Sequence, residues 1–288
     1  MSRTLIVYGN CQAEAIATIF KRDPLAEGHF RIMYLRNFEH PADEWEEMRS
    51  VDVTSCAVLC EQHDPGPFPF RDLLPPTCVT VKFPAIDFNL LWPFNCVNPY
   101  QEPRPPVFPF GPFPYGDRVI IECLEKGMRP REIVEFYLTG WDRYGMDLDR
   151  LLQIESARLT SRDRHCEIKM ADHVLGRFRE ERLFWTPNHP TNALLRELVA
   201  RLLPTCIEAE PALASLDIDA TLATRLPPEG PLGVVDIPIH PKIAEHYGLK
   251  WYDPNERHQT FGGGSYSYTE YFEAMIEDSL AVRHSREA

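Results

Sequence analysis

The chain has 288 residues, of which 44% are hydrophobic and 25% are charged, and this composition is typical of a globular protein with a sizeable core. Its net charge of −13 disfavours non-specific binding to nucleic acid or to an anionic membrane surface, so an anionic ligand would need a local cluster of Arg or Lys. The first apolar run is only about five residues long, too short for a signal sequence or a membrane span. The eight cysteines include no Cys-x-x-Cys pair, so we expect reduced thiols in a cytoplasmic protein.

The first part of the sequence alternates strand-like and helix-like segments. Strands are predicted at 4–9, 29–37, 53–62 and 78–84, and helices at 12–22 and 41–50. This alternation predicts an α/β fold with a mainly parallel sheet that is covered on both faces. In such sheets ligands bind beyond the carboxyl ends of the strands. Cys11, Gln62 and Lys82 lie at three of these ends, which predicts a binding site there.

The remainder is predicted to be mostly helical. Residues 83–115 are rich in proline and aromatic residues and predict an ordered loop without a helix or strand of its own, either a structural wrapping or the wall of a cleft. Helices are predicted at 117–127, 129–140, 147–168 and 170–182, within 237–253 and at 269–280, with 208–235 irregular. The segment 182–203 repeats the order strand, polar turn, helix, with Asn188 and His189 on the turn and Pro190 at the helix start.

The motif Gly9-Asn10-Cys11-Gln12 places a cysteine on the turn between the first strand and its helix. Unpaired backbone N–H groups and the helix dipole at such a turn are expected to lower the pKa of a thiol. The same N–H groups, with the Asn10 amide, could stabilise an oxyanion during attack on a thioester carbonyl. The alternative is a plain buried thiol.

His189 is the candidate general base, because its segment TPNHPTN is too polar for a core position. The alternative is a capping or loop histidine. His63 and His240 are weaker candidates, since flanking prolines indicate structural turns. The acid that would orient His189 is unassigned, because SGNH-type hydrolases carry Asp where this chain has Thr186. We expect no metal site, and we interpret Cys56 and Cys60 as core thiols rather than zinc ligands.

GNCQ together with RLFWTPNHPTNALL resembles the WcbI family of bacterial polysaccharide-biosynthesis proteins. The segments CEQ, VKFPAIDF, PFPYGDRVIIECLEKGMRPREIVEFY and PIHPKIAEHYGLKW extend the resemblance to about residue 253. GNCQ followed later by NHPT is the most specific part of the match. The chain departs from the family where AIDFNLLWPF replaces a Gly-Tyr pair after Phe83-Pro84 and where Asp117-Arg118 replaces a Tyr-His-like segment, which leaves the acceptor open.

The resemblance implies a three-layer, SGNH-like (flavodoxin-like) fold, coenzyme A binding and a role in O-acetylating capsular sugars. We therefore expect one α/β domain over residues 1–288, with 85–180 as an insertion-like loop and helical region and 254–288 as a C-terminal tail and helix. The expected catalytic residues are Cys11, His189 and Asn10. The expected cofactor-binding residues are Gly9, Gln12, Gln62, Lys82, Arg182, Asn188 and Thr191, with Arg177 and Arg179 as further candidates for the phosphates.

The predicted function is a cytoplasmic acyltransferase that uses acetyl-CoA or another acyl-CoA and a sugar or polysaccharide acceptor, with no nucleic-acid partner and no transmembrane segment. Transfer through an acyl-cysteine and direct transfer to a hydroxyl activated by His189 both remain open. Two alternatives are an SGNH-like esterase or thioesterase, which would admit water in place of the sugar, and a noncatalytic module that binds coenzyme A or a glycan.

Overall fold

The structure is a computed structural model that describes residues 3–38, 53–63, 68–103, 110–227, 230–261 and 263–287. The chain divides into two compact units, which we describe separately. The first unit comprises Met1–Asp87, Ser156–Arg177 and Asn188–Gly233, and the second comprises Phe88–Glu155, Phe178–Pro187 and Val234–Ala288. The single-domain organisation expected from the sequence stays a prediction.

The first unit is built on a four-stranded parallel sheet of order β2-β1-β3-β4. Its strands are β1 (Arg3–Gly9), β2 (Phe30–Arg36), β3 (Cys56–His63) and β4 (Val79–Pro84). All three pairings are parallel, and Cys60 lies in register with Val7 on one side and Val81 on the other. The predicted α/β fold with a parallel sheet is therefore confirmed. The predicted helix at 41–50 lies outside the described residues.

Both faces of this sheet are covered, which explains why the central strands β1 and β3 are buried along almost their whole length. On one face pack helices α1 (Cys11–Arg22) and α7 (Asn192–Ala209). On the other face Tyr8 and Leu59 belong to a buried cluster with Phe68, whose ring meets that of Tyr8 at a centroid distance of 5.4 Å. Successive side chains of β1 therefore point into two separate layers of the core, one on each face of the sheet.

Helix α1 has a capping residue at each end, Asn10 before it and Asp23 after it. Asn10 is the N-cap, and its side chain accepts a hydrogen bond from the N–H of Gln12. Asp23 closes the helix and caps the next one, α2 (Pro24–His29). The buried face of α1 includes Ile16 and Phe20, which pack toward the sheet. The turn before α1 is therefore held at a fixed position over the strand ends.

The other helices of the first unit are α6 (Ala171–Arg177) and α8 (Ile218–Arg225), with the short strand β8 (His189–Pro190). Helix α5 (Leu148–Asp163) contributes residues to both units. The second unit contains β5 (Asn95–Val97), β6 (Tyr115–Asp117), α3 (Arg118–Glu125), α4 (Pro130–Thr139), β7 (Phe184–Thr186), α9 (Pro241–Tyr247), β9 (His258–Gln259), β10 (Ser265–Tyr266) and α10 (Tyr268–Glu287).

Three predictions of local structure were wrong. The segment 83–115 is not free of regular structure, since it contains a 3-10 turn at Asn89–Leu91 and the strand β5, which pairs antiparallel with β6. The segment 208–235 contains helix α8 and a 3-10 helix at Pro211–Ser215. Pro190 does not open a helix but lies in β8, because Thr191 is the N-cap of α7.

Within the described part of the chain, no helix combines the length and the apolar character needed to cross a membrane.

Replacing Gly9 with Ala should lower the free energy of unfolding by about 2–4 kcal/mol. A Cβ at this position would lie 2.6 Å from Cβ of Gln62 and 2.9 Å from Cβ of Ala13, and both neighbours are buried. Urea denaturation measures the change. Gly28→Ala is the matched control, because no atom lies within 4 Å of a Cβ there and helix α2 should gain about 0.5–1 kcal/mol. Equal urea midpoints for Gly9→Ala and the wild type would contradict the close approach.

Candidate functional site

The candidate site lies in the first unit, at the carboxyl ends of β1, β3 and β4. Gly9 ends β1, Asn10 forms the turn and Cys11 is the first residue of α1. The Asn10 side chain uses Oδ1 to accept the N–H of Gln12 at 2.9 Å. Among the described residues its Nδ2 makes no hydrogen bond, so this group can donate to a ligand. The turn therefore presents a thiol, an amide donor and the first N–H groups of a helix.

Two buried glutamines fix this turn to the sheet. Gln62 Oε1 accepts a hydrogen bond from the Asn10 backbone N–H at 2.8 Å, and Gln62 Nε2 donates to Gln12 Oε1 at 3.1 Å. Both side chains are 1% exposed. A buried amide is costly unless its donors and acceptor are paired, so this pairing defines one arrangement of the turn.

Gln12 also joins the turn to two further segments. Its Nε2 donates to the carbonyl oxygens of Ile86, at 2.5 Å, and Asn188, at 2.8 Å. Its Oε1 accepts the N–H of Ile86 at 3.0 Å. A single amide thus connects α1, the end of β3, the segment after β4 and the segment that carries His189. The Gln12 and Gln62 amides bond to the protein itself, and their expected role in cofactor binding stays a prediction.

The prediction that the turn lowers the pKa of Cys11 was wrong. Burial raises the pKa of the Cys11 thiol to about 11, and the negative charge of Glu14 adds to this effect. The backbone N–H groups of Cys11 and Gln12 act in the opposite direction but do not compensate. Cys11 is half-buried and is a neutral thiol at pH 7.

His189 lies in β8, one residue after the carbonyl that Gln12 binds. Burial lowers its pKa to about 4, and a hydrogen bond with the Leu232 backbone opposes the shift. The imidazole is therefore neutral at pH 7, which is the form that can accept a proton. No carboxylate among the described residues contributes to the shift of the His189 pKa, so the acid of a possible triad stays unassigned.

Thr191 and Lys82 have different surroundings. Thr191 is buried at the N-cap of α7, two residues beyond His189. Lys82 lies in register with Glu61, whereas Gln62 lies in register with Phe83. Since side chains alternate along a strand, Lys82 and Gln62 leave the sheet on opposite faces. The structure therefore does not bring the Lys82 side chain to the face that holds the glutamines.

Arg182 belongs to the second unit, where its guanidinium forms an ion pair with Glu256 and lies over the rings of Trp185 and Trp251 at 5.2 and 4.9 Å. Arg179, a further candidate, donates to the Tyr247 carbonyl at 3.1 Å. Both arginines thus already have protein partners, and their roles toward a cofactor stay predictions.

The two rival histidines have structural surroundings. The ring of His63 stacks on that of His165 at a centroid distance of 5.0 Å. His240, in the second unit, is buried, caps α9 by accepting the N–H of Lys242 at 3.1 Å and lies 4.3 Å from the Trp141 ring.

Sequence reasoning missed two arginines of α5 at the end of β4. Arg158 and Arg162 both donate to Oδ1 of Asp87, and they also bind the carbonyls of Asp87 and Ala85 at 2.8 and 3.0 Å. They hold the chain on either side of Ile86, the residue that Gln12 binds. Their four-residue spacing was a signal, since it places both on one helix face, but nothing in the sequence identified Asp87 as their partner.

The rate at which iodoacetamide alkylates Cys11 should rise about tenfold per pH unit from pH 7 to about pH 10, because only the thiolate reacts and its pKa is raised. Mass spectrometry of the Cys11 peptide separates this rate from that of other thiols. Glu14→Gln should shift the dependence of the alkylation rate on pH to lower pH, because it removes the negative charge that helps to raise the Cys11 pKa. A rate that levels off near pH 8 would instead indicate a thiol of ordinary pKa.

Gln12→Ala should lower the free energy of unfolding by about 2–4 kcal/mol, because the Ile86 and Asn188 backbone groups and the Gln62 amide lose buried partners. Chemical denaturation measures the loss. Gln153→Ala, at an exposed position of α5, is the control and should stay within about 0.5 kcal/mol of the wild type. A Gln12→Ala protein as stable as this control would show that the amide does not hold the four segments.

Comparisons with known proteins agree with this fold. The model of the family described as polysaccharide biosynthesis enzyme WcbI matches residues 4–207. A solved structure of WcbI, described as a novel polysaccharide biosynthesis enzyme and as the native protein without a disulfide bond between CoA and one of its cysteines, is similar with a TM-score of 0.76. The match is 18% identical and covers 98% of this chain and 91% of that chain, which shows the fold. No curated protein matches the chain. Because the family model spans more than half of the sequence, the chain belongs to the WcbI family of polysaccharide biosynthesis enzymes.

Proposed function

We propose that the chain is a coenzyme A-dependent O-acyltransferase that transfers an acyl group, acetyl in the simplest case, to a hydroxyl of a polysaccharide sugar. The observation that carries the proposal is the 2.8 Å hydrogen bond from Gln12 Nε2 to the Asn188 carbonyl. It joins the residue after Cys11 to the residue before His189. This bond holds together the two segments that carry the thiol and the imidazole, which supports a pairing of the kind that acyl transfer requires.

The residues at this turn fit a thioester donor. Acyl-CoA supplies an activated acyl group. The Cys11 N–H at the helix start and the Asn10 amide are donors suited to the charge that develops on an acyl oxygen. Arg158 and Arg162 both form ion pairs with the carboxylate of Asp87, so two guanidinium groups lie together after the end of β4. Their side chains are 27% and 33% exposed, and guanidinium groups suit phosphates, so we assign the phosphates of the donor to this pair.

His189 is proposed as the general base. With a pKa of about 4 it is fully deprotonated at pH 7, and with a pKa of about 11 Cys11 is fully protonated. The pair is therefore not ionised before the donor binds, and the proton moves to His189 only as the bond to the acyl carbon forms. The proton comes from Cys11 if an acyl-cysteine forms, or from the sugar hydroxyl if transfer is direct.

Titration calorimetry with coenzyme A and acetyl-CoA, followed by chromatographic assay of CoA release with a panel of oligosaccharides, tests the proposal. We expect micromolar binding by the wild type and a loss of transfer of about 10²–10⁴-fold in His189→Ala. His246→Ala, at an exposed histidine of α9 bonded to Asp149, and Cys96→Ser, at a half-buried thiol of the second unit, are the controls.

The variants separate the two routes and the rival functions. Loss of transfer in Cys11→Ala, with an acetyl adduct on wild-type Cys11 in intact mass spectra, supports the covalent route. Full activity of Cys11→Ala eliminates it and leaves direct transfer. CoA release that does not depend on the acceptor would indicate a thioesterase, and tight binding without any turnover would indicate a noncatalytic module. No binding at millimolar ligand would remove the acyltransferase proposal.

A further inference from the structure

A second pair of sulfur atoms lies at the other end of the sheet. Cys56 is the first residue of β3 and Cys78 immediately precedes β4, so both lie at the amino ends of neighbouring strands, whereas Cys11 follows the carboxyl end of β1. The two Sγ atoms are 3.6 Å apart. Val58 of β3 lies in register with Val79 of β4, so the amino ends of these two strands are adjacent. This pair does not take part in the proposed acyl transfer.

The two thiols differ in exposure and in acidity. Cys56 is 1% exposed within an apolar cluster, whereas Cys78 is half-buried and lies at the edge of that cluster. The hydrogen bond between the Cys78 and Cys56 sulfur atoms lowers the pKa of Cys78, and the Leu59 backbone and the Arg71 charge act in the same direction, whereas burial opposes them. The same contact, together with burial, raises the pKa of Cys56. Cys78 is thus the accessible thiol that ionises first, with a protonated thiol beside it.

We propose that Cys78 and Cys56 form an oxidation site that reacts with hydroperoxides and closes to an intramolecular disulfide. The Cys78 thiolate attacks one peroxide oxygen, so that the O–O bond breaks, a sulfenic acid forms and the other oxygen leaves as water or an alcohol after protonation. The Cys56 sulfur then attacks the Cys78 sulfur, its proton joins the leaving hydroxyl, and water departs. Two thiols are oxidised by two electrons and one peroxide is reduced.

The geometry makes the second step local. A disulfide requires sulfur atoms about 2.05 Å apart, so the two Sγ atoms need to approach by roughly 1.5 Å. Cys78 lies in the turn before β4 rather than in the strand, and its N–H bonds to the Pro75 carbonyl at 2.9 Å. Because Cys78 lies outside the strand, we expect a change of its side-chain rotamer to bring the sulfur atoms together while the strand pairing is retained.

The chain supplies a matched control in Cys60 and Cys206. These thiols also contact each other, since Cys206 hydrogen bonds to Cys60 and raises its pKa, but both are 0% exposed. Cys60 and Cys206 are therefore close to each other, as Cys56 and Cys78 are, but a peroxide in solution cannot reach either of them. Cys11 provides a second comparison, because it is half-buried like Cys78 but its pKa is raised rather than lowered.

The test treats the purified, reduced full-length chain with a small molar excess of hydrogen peroxide at neutral pH. Remaining thiols are blocked with iodoacetamide, and the unreduced digest is mapped by mass spectrometry. We expect a peptide joining Cys56 to Cys78 as the first oxidised species, formed at least tenfold faster than any product at Cys11, Cys60 or Cys206, and removed by dithiothreitol.

Two variants keep the proposal falsifiable. Cys78→Ser, at the half-buried position, should fold and form no disulfide. Cys56→Ser should leave Cys78 as a sulfenic acid that dimedone traps, because the second thiol is gone. Oxidation of Cys11 before Cys78, a Cys60–Cys206 disulfide formed as fast, or unchanged oxidation in Cys78→Ser would each overturn the proposal. The outcome does not depend on whether the acyltransferase proposal holds.

Discussion

The buried amide of Gln12 is the constraint on which the candidate site depends. A primary amide has two donors and an acceptor, and in an interior each must find a partner or cost free energy. Gln12 finds its partners on Ile86, Asn188 and Gln62, which belong to three segments far apart in sequence. Moving any one segment would leave a buried polar group unpaired. The amide therefore selects one relative position for the turn that carries Cys11 and the strand that carries His189, so a residue with no proposed chemical role positions the two residues that we propose to react.

The electrostatic character of the site follows from the same burial. The dry surroundings that strengthen the Gln12 hydrogen bonds also oppose charge on Cys11 and His189, so both stay neutral in the free protein. Charged groups lie together after the end of β4, where Arg158 and Arg162 pair with Asp87. The candidate site thus combines an uncharged thiol and imidazole with two guanidinium groups, in a chain whose net charge is −13. This arrangement is compatible with the proposed acyl-CoA donor, whose phosphates are anionic and whose thioester is uncharged.

The sequence was sufficient for much of the sheet and for the location of the site. The apolar runs of β1, β3 and β4 are long and bounded by polar residues, and Asn10 is a residue type that caps helices, so strand ends and the Cys11 turn were predictable. The direction of the Cys11 pKa shift was not predictable from the sequence, because it depends on how deeply the folded chain buries the thiol. The pairing of Arg158 and Arg162 with Asp87 joins residues more than 70 positions apart, and neither partner carries a local signal of the contact. The short strand β8 was also missed, since two residues give no periodicity.

The position of the eight thiols at different depths has a consequence for studying the protein's dynamics. Cys60 and Cys206 are covered completely between the sheet and α7, so a thiol reagent reaches them only when that layer opens. Cys11 is half-buried at the start of α1, so the reagent can approach it without such opening. Pulsed labelling of the native chain therefore compares thiols that react only after this layer opens with a thiol that needs no opening, without any introduced probe. The labelling rate of these native cysteines thus measures how often the sheet and α7 separate in solution.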